Sequence, residues 1–291
     1  MNKSEKPRRA LIAGCGYIGK KLAEDLSRKG WEVDGLSRSQ SADQTYFRTV
    51  VQDLSRPFTL ADSYDVVFYL VSADCYEEEA YDLAYRRGLQ NLLQAVVEHT
   101  RTSRLIFVSS TSVYAQGDGT WVDETSPCSH DGFARQALLG GEQLALQSGL
   151  PAMVVRFSGI YGPGRMRFRD SVLKGETGLV YPSFFTNRIH RDDGAAALVH
   201  LMEKGIPGEI YLVTDAEPAD YNDVIRWICS EAGREALPGV GVSPSHHRGN
   251  KRCSSRKLLD TGFTFIHPNF RSGYAFSLGE PAAQFPLAPP C

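Results

Sequence analysis

No segment of this 291-residue chain reaches the ~18 consecutive apolar residues that a membrane helix requires. Its basic opening, MNKSEKPRR, leads into a short strand broken by glycines, which is the pattern neither of a secretory signal nor of a membrane span. Paired cysteine spacing is missing as well. The six cysteines, at positions 15, 75, 128, 229, 253 and 291, form no C-x-x-C motif, so free thiols in a reducing cytoplasm are expected. Charge excess is absent: 32 basic and 34 acidic side chains leave a net charge of -2, with no footprint for nucleic acid or an anionic membrane. Internal repeats and blocks of like charge do not occur either. What remains is an ordinary globular composition, 42% hydrophobic and 10% aromatic, long enough for one large α/β unit or two joined lobes.

The first stretch with chemical meaning is Arg9-Ala-Leu-Ile-Ala13, then Gly14-Cys-Gly-Tyr-Ile-Gly19, then Lys20 to Lys29. It reads as a short apolar strand, a glycine turn, and a helix with Ile18, Leu22 and Leu26 at four-residue spacing. Gly30 closes the helix, and Trp31 to Leu36 begins a second strand. A G-x-G-x-x-G set between strand and helix predicts dinucleotide binding. Gly14 permits the tight turn, Gly16 lets a pyrophosphate approach the backbone, and Gly19 lets the helix pack on the strand. The helix start at Tyr17 and Ile18 then offers N–H groups and a positive dipole end to the phosphates.

Which dinucleotide is a matter of charge. An NAD site places a carboxylate at the carboxyl end of the second strand, against the ribose 2′-hydroxyl. Asp34 is mid-strand, before Leu36, and the strand end itself reads Ser37-Arg38-Ser39. A guanidinium with hydroxyls suits a 2′-phosphate, which a carboxylate would repel. NADP(H) is therefore the expected cofactor, held at its 2′-phosphate by Ser37 and Arg38; the alternative is a solvated surface Arg38.

Strand and helix go on alternating. Strands are expected over Tyr46–Gln52, Asp65–Val71, Arg104–Val108, Leu150–Arg156 and Gly208–Val213, and helices over Tyr81–Glu98, Gly194–Lys204 and Tyr221–Ala232. A short capped helix is expected over Ser254–Gly262, and the Pro- and Ala-rich tail Pro281–Cys291 is expected loose. Such alternation predicts an α/β, doubly wound parallel sheet of Rossmann type, with ligands beyond the carboxyl ends of its strands.

Further stretches then follow in order: Asp53-Leu54, Ser109-Ser-Thr-Ser-Val-Tyr114, Arg156-Phe-Ser-Gly-Ile-Tyr-Gly-Pro-Gly164, Asn187-Arg-Ile-His-Arg-Asp-Asp193, and Ile210-Tyr-Leu-Val-Thr-Asp215 with Pro218. With the glycine turn, they make the chain resemble the extended short-chain dehydrogenases/reductases, with their nucleotide-sugar epimerases and dehydratases, from about residue 9 to about residue 275. The resemblance implies that Asp53 and Leu54 hold adenine and that Leu70, Val71 and Ser72 line the cofactor. It implies that Phe157, Ser158 and Ile160 pass near the nicotinamide, and that Ser110 takes the place of the catalytic Ser/Thr. It also implies a helix carrying a Tyr and, four residues later, a Lys, and ending Ala-Ala-Glu. With Gly140-Gly-Glu142 set on that ending, Ala134 stands at the Tyr position and Leu138 at the Lys position, and the helix holds neither residue type. The chain thus resembles an atypical branch that keeps the cofactor site and lacks the usual acid/base pair.

Other side chains are weighed in turn. Ser110 reads as a ligand for a substrate oxygen or as a turn serine. Tyr161 and Tyr114 are the nearest phenols, or core packing. His190 is expected to be structural, with Asp193 capping the next helix. Arg165, Arg167 and Arg169 suit either an anion clamp or a solvated loop. Asp123 and Glu124, being adjacent, should point apart. His246-His247 lacks a spaced third ligand, so no metal site is expected. Residues 1–161, with 188–235 returning, are expected to form an NADP-binding domain, and 162–187 with 236–291 a substrate lobe. The expected activity is that of an NADP(H)-dependent oxidoreductase, a reductase of a small or nucleotide-linked carbonyl or imine, with Ser110 and Tyr161 as catalytic candidates. The expected partner is a small-molecule substrate, an anionic one included, and a homodimer is left open. A degenerate nucleotide-sugar epimerase or dehydratase, and a non-catalytic NADP(H) sensor, are the other readings.

Overall fold

The structure, a computed structural model, describes residues 7–40, 45–97, 102, 104–239 and 249–275. The chain runs through β1 (Arg9–Ala13), α1 (Tyr17–Arg28), β2 (Glu32–Ser37), β3 (Arg48–Val51) and β4 (Val66–Tyr69). Then come α2 (Glu78–Asp82), a π-helical turn (Leu83–Arg87), α3 (Gly88–Val97), β5 (Arg104–Ser110), β6 (Trp121–Val122) and α4 (Phe133–Leu146). Next are β7 (Ala152–Phe157), β8 (Gly159–Tyr161), α5 (Arg167–Leu173), β9 (Phe185–Thr186), β10 (Arg188–His190) and α6 (Arg191–Lys204). β11 (Ile210–Val213), β12 (Ala219–Asp220), α7 (Tyr221–Glu231), β13 (Arg252–Cys253), α8 (Arg256–Asp260) and α9 (Phe270–Ala275) complete the described elements.

Seven strands make one sheet in the order β11-β7-β5-β4-β1-β2-β3, parallel from β5 through β3. This is the doubly wound order, and it reverses between β1 and β4, where such sheets open a ligand crevice. The strands are apolar runs because a parallel sheet is covered on both faces: Ala10 to Ala13, Val66 to Tyr69 and Leu105 to Phe107 are buried throughout. Ile18, Leu22 and Leu26 form the buried face of α1, as their spacing predicts.

The chain forms two compact units. The first holds Met1–Val113, His130–Arg156 and Ala195–Tyr211, the second Tyr114–Ser129, Phe157–Gly194 and Leu212–Cys291. In the first, Leu11, Val67, Leu89, Leu92, Phe107 and Val154 share one core. Residues 114–129, 157–161, 188–194 and 212–235, expected with the cofactor half, fall in the second unit instead. There Tyr161, Val224, Ile225 and Ile228 build a separate apolar core with Phe270 and Tyr274.

Local differences from the sequence reading have physical causes. The helix expected to start at Tyr81 begins at Glu78 and changes pitch over Leu83–Arg87. The Tyr69 hydroxyl donates to the Ala84 carbonyl at 2.6 Å, and the Gly88 N–H bonds the Leu83 carbonyl instead. One carbonyl lost to a side chain thus produces the π turn. Asp193 caps nothing at the start of its own helix; its carboxylate accepts the backbone N–H groups of Ile266 at 2.6 Å and His267 at 2.9 Å. The short helix near residue 256 lacks a side-chain cap bond but does stop before Gly262, at φ +89.

Candidate functional site

The glycine turn after β1 is built for close approach. A Cβ on Gly14, whose φ is +93, would sit 2.7 Å from the Leu70 carbonyl, and one on Gly19 2.5 Å from the Gly14 oxygen. A Cβ on Gly16 would meet nothing within 4 Å. Gly14 and Gly19 therefore hold the turn against β4 and α1, while Gly16 leaves open space at the start of a 12-residue helix. That helix has no side-chain cap and no acid in its first turn, so its N–H groups and dipole face the opening without a competing anion. These features fit a dinucleotide pyrophosphate. Cys15, inside the turn, is inert. Its sulfur tucks against Gly35, where a Cβ would lie only 2.4 Å away, and burial pushes the thiol up to about 12.

At the carboxyl end of β2 the charges are sorted. Asp34 is buried, and its carboxylate takes Arg48 at 2.8 and 2.7 Å, Arg9 at 2.9 Å and the Tyr64 hydroxyl at 2.7 Å. Nothing of it remains for a ribose. Arg38 lies exposed past the strand end, gripped by Asp74 at 2.7 and 2.9 Å. Ser37 ends β2, half-buried. Asp53 follows β3, exposed, and accepts the Ser55 N–H at 2.9 Å; the Leu54 carbonyl accepts from Asn91 at 2.8 Å. Leu70, Val71 and Ser72 continue β4 beyond its carboxyl end, beside the glycine turn. Tyr17 is half-buried at the start of α1, and Ile18 packs inward.

Beyond β5 the two serines differ. Ser109 is buried, and its hydroxyl donates to Glu142 of α4 at 2.6 Å. Ser110 is half-buried and accepts the Ser112 N–H at 3.1 Å, the geometry of a turn serine. Glu142 also takes Arg156 at 3.0 and 2.7 Å, a buried ion pair that ties α4 to β7. At Gly141 the helix comes so close that a Cβ would lie 2.4 Å from the Tyr85 carbonyl. Leu138 is buried and Ala134 half-buried.

The sequence reading missed an aromatic group at the start of α4. Phe133 packs against Tyr76, centroids 4.9 Å apart, and Tyr81, at 5.5 Å. Tyr81 in turn lies 5.5 Å from Tyr85. The four-residue step from Tyr81 to Tyr85 was the signal available.

The second unit holds the remaining candidates. Phe157 and Ser158 are buried, and Ile160 pairs with Ile189 across β8 and β10. Tyr161 is 5% exposed and packs on Tyr274 at 4.6 Å and His190 at 5.4 Å. Its hydroxyl presses on Gly273, and burial pushes its pKa far up. That is a core position, poor for proton donation. His190 is buried, accepts the Asp192 N–H at 3.3 Å, and is held down at about 4 by burial and by His267. Possible ligand atoms of His190, Asp192 and His267 lie within 4.8 Å of one another. Tyr114 is buried. Arg169 is no anion clamp: it is buried and bound to Asp170 at 2.8 Å. Asp123 turns to Thr125, at 2.7 Å from its hydroxyl, while Glu124 accepts the Leu212 N–H at 2.8 Å, so the two carboxylates do part. His246-His247 and the tail Pro281–Cys291 lie outside the described residues.

A model of the NAD dependent epimerase/dehydratase family matches residues 10–214. The chain belongs to that family. A 3-diazoavenalumate denitrifying reductase of a Streptomyces species is 31% identical to it, over 91% of this chain and 98% of the relative. Protein YeeZ of Escherichia coli is 28% identical, over 90% of this chain and 97% of its own length. A solved structure of a candidate NAD-dependent epimerase/dehydratase from Methylobacillus flagellatus aligns with TM-score 0.78 and 36% identity, covering 93% of this chain and 97% of that one. MoeE5, solved with UDP-glucuronic acid and NAD, shares the fold at TM-score 0.78 and 22% identity, over 92% of this chain and 96% of its own. The glycine turn, the β4 extension and the β5 end all stand at the carboxyl edge of the sheet. No helix among the described residues is long and apolar enough to cross a membrane.

Proposed function

We propose that this epimerase/dehydratase-family chain is an NADPH-dependent reductase of a small or nucleotide-linked carbonyl or imine. The observation that carries the reading is the charge at the end of β2: Asp34 is occupied inside the fold, and the exposed group there is the Arg38 guanidinium. When bound, the nicotinamide supplies the hydride. The chain's own residues do the rest. The turn from Gly14 to Gly19 holds the pyrophosphate, Ser37 and Arg38 the 2′-phosphate, Asp53 and Leu54 the adenine. Leu70 to Ser72 line the remainder, and Ser110 binds the reacting oxygen or nitrogen. Ala134 and Leu138 can neither give nor take a proton, which disfavours epimerisation through an α4 phenol and leaves room for substrate. The reductase at 31% identity supports the same class.

Arg38→Ala should weaken NADPH binding by about tenfold and leave NADH unchanged, the low end for a charged contact because this side chain is exposed. Asp74→Asn should do the reverse, since the Asp74 carboxylate holds Arg38 and repels a 2′-phosphate. Fluorescence titration of both cofactors checks this; equal affinity of the parent for NADPH and NADH would sink it. Tight cofactor binding without hydride transfer to any carbonyl or imine would point to a sensor.

A further inference from the structure

In the second unit β10 passes into α6 with no residue between them, and a His-x-Asp step straddles the junction. His190 ends the strand, and Asp192 stands in the first turn of the helix. The step brings Nδ1 of His190 to 4.0 Å from Oδ2 of Asp192. The other carboxylate oxygen, Oδ1, accepts from Arg191 at 2.9 Å, which fixes the group. A second imidazole joins them from far along the chain. The His267 ring stands 4.0 Å from the His190 ring, centre to centre, tilted by 53°. Asp193 anchors that segment by accepting the Ile266 and His267 N–H groups on one carboxylate. Nδ1 of His267 faces the Ser272 carbonyl at 3.3 Å; with the ring proton donated there, the lone pair falls on Nε2. One ligand atom from each of His190, Asp192 and His267 lies within 4.8 Å of the other two.

We propose that His190, Asp192 and His267 bind one divalent transition-metal ion of the zinc type, which clips the start of α6 to the segment around residue 267. Two imidazoles and a carboxylate are the donor set of such ions, whereas magnesium and calcium take oxygen throughout. Three protein ligands leave the fourth tetrahedral position to water. Around zinc, with bonds of ~2.0–2.2 Å, neighbouring ligand atoms stand ~3.3 Å apart, so the trio must draw in by at most ~1.5 Å. His190 is buried, while Asp192 and His267 are half-buried, so two side chains nearer the surface close on one that the core holds still. The bond given up is a long one, the 3.3 Å contact from the Asp192 N–H to Nδ1 of His190. Outer supports are already in place: Arg191 orients the carboxylate, and the Ser272 carbonyl sets the tautomer of His267. The Arg191 charge also opposes a cation, which sets the affinity below that of a site without it. Binding at this site is independent of the cofactor and of the reductase reading.

Zinc alone is the probe. After dialysis against a chelator, the full chain should take up one zinc ion in a calorimetric titration, and with cobalt in its place should show the visible absorption of a four-coordinate ion. Zinc at a hundredfold excess over its Kd should raise the unfolding temperature by roughly 5 °C. His267→Ala and Asp192→Asn each remove one ligand at a half-buried position, and where one of them fails to fold the other decides. Each should weaken zinc by at least ~100-fold, the upper end for losing an outer support alone, and should lose the cobalt band. The metal-free unfolding temperature shows that the variant is folded. The double change His246→Ala with His247→Ala should leave zinc binding and the cobalt band unchanged. Zinc binding that persists in His267→Ala and vanishes in that double variant overturns the site, and so does a parent that takes up no zinc from a micromolar solution.

Discussion

Glu142→Ala should lower the stability of the first unit by about 3–5 kcal/mol, the usual loss when one partner of a buried ion pair is removed. Both partners are almost wholly out of water, Glu142 at 4% exposure and Arg156 at 3%. The carboxylate accepts two bonds from the guanidinium and a third from Ser109, so its removal strands a buried cation and a buried hydroxyl together. The pair joins α4 to β7 and to the end of β5, immediately before Ser110. Loss of Glu142 should therefore loosen the serine edge as well as the helix. Urea unfolding measures the first effect and NADPH titration the second. The double change Glu142→Leu with Arg156→Met should regain most of the lost stability, because two apolar side chains need no partner. A loss below about 1 kcal/mol for Glu142→Ala would show that the stranded Arg156 finds water, and that α4 is held by packing at Gly141 instead.

The fold was legible where a single physical rule decides. Glycines at 14, 16 and 19 have no other common reason to stand between an apolar strand and an amphipathic helix, and the buried runs Val66–Tyr69 and Leu105–Phe107 read as parallel strands because both their faces are covered. The ordering at β2 was legible too: Asp34 precedes the strand end by three residues, and the structure uses it internally. The π turn was not legible, because it depends on one hydroxyl, that of Tyr69, reaching a carbonyl fifteen residues on. Arg169 shows the opposite failure. Three arginines at alternate positions suit an anion clamp or a solvated loop, yet a fold can bury one if an aspartate follows it directly, and Asp170 does. Asp193 followed the cap pattern in sequence but found two backbone N–H groups 73 and 74 residues away, which no local reading contains.

The second unit should grow less stable as pH rises through neutrality, and Asp215 is the cause. It is fully buried just past β11; one carboxyl oxygen accepts the Glu217 N–H at 3.3 Å, and the other has no hydrogen-bond partner. Arg188 pulls the carboxyl down, but one of its nitrogens is engaged by Thr186 at 2.7 Å, and burial prevails, pushing Asp215 up to about 8. In the unfolded chain the group titrates near 3.9. Between those values the folded state holds a proton that the unfolded state has lost, so stability falls as pH rises and levels off above the folded value. His190 works the other way: burial and His267 hold it down at about 4 against an unfolded value near 6.5, so its contribution is lost as pH falls through that window. The two slopes oppose below about 6.5, and the Asp215 slope stands alone between about 6.5 and 8, at roughly 1 kcal/mol per pH unit. Asp215→Asn keeps the acceptor for Glu217 and removes the ionisation. Its unfolding temperature should exceed that of the parent at pH 8 and should lose most of the downward slope from pH 6.5. A parent curve that is flat over that interval, or an Asn variant with the same slope, would mean that Asp215 is ionised in the folded protein and that Arg188 neutralises it across the intervening gap.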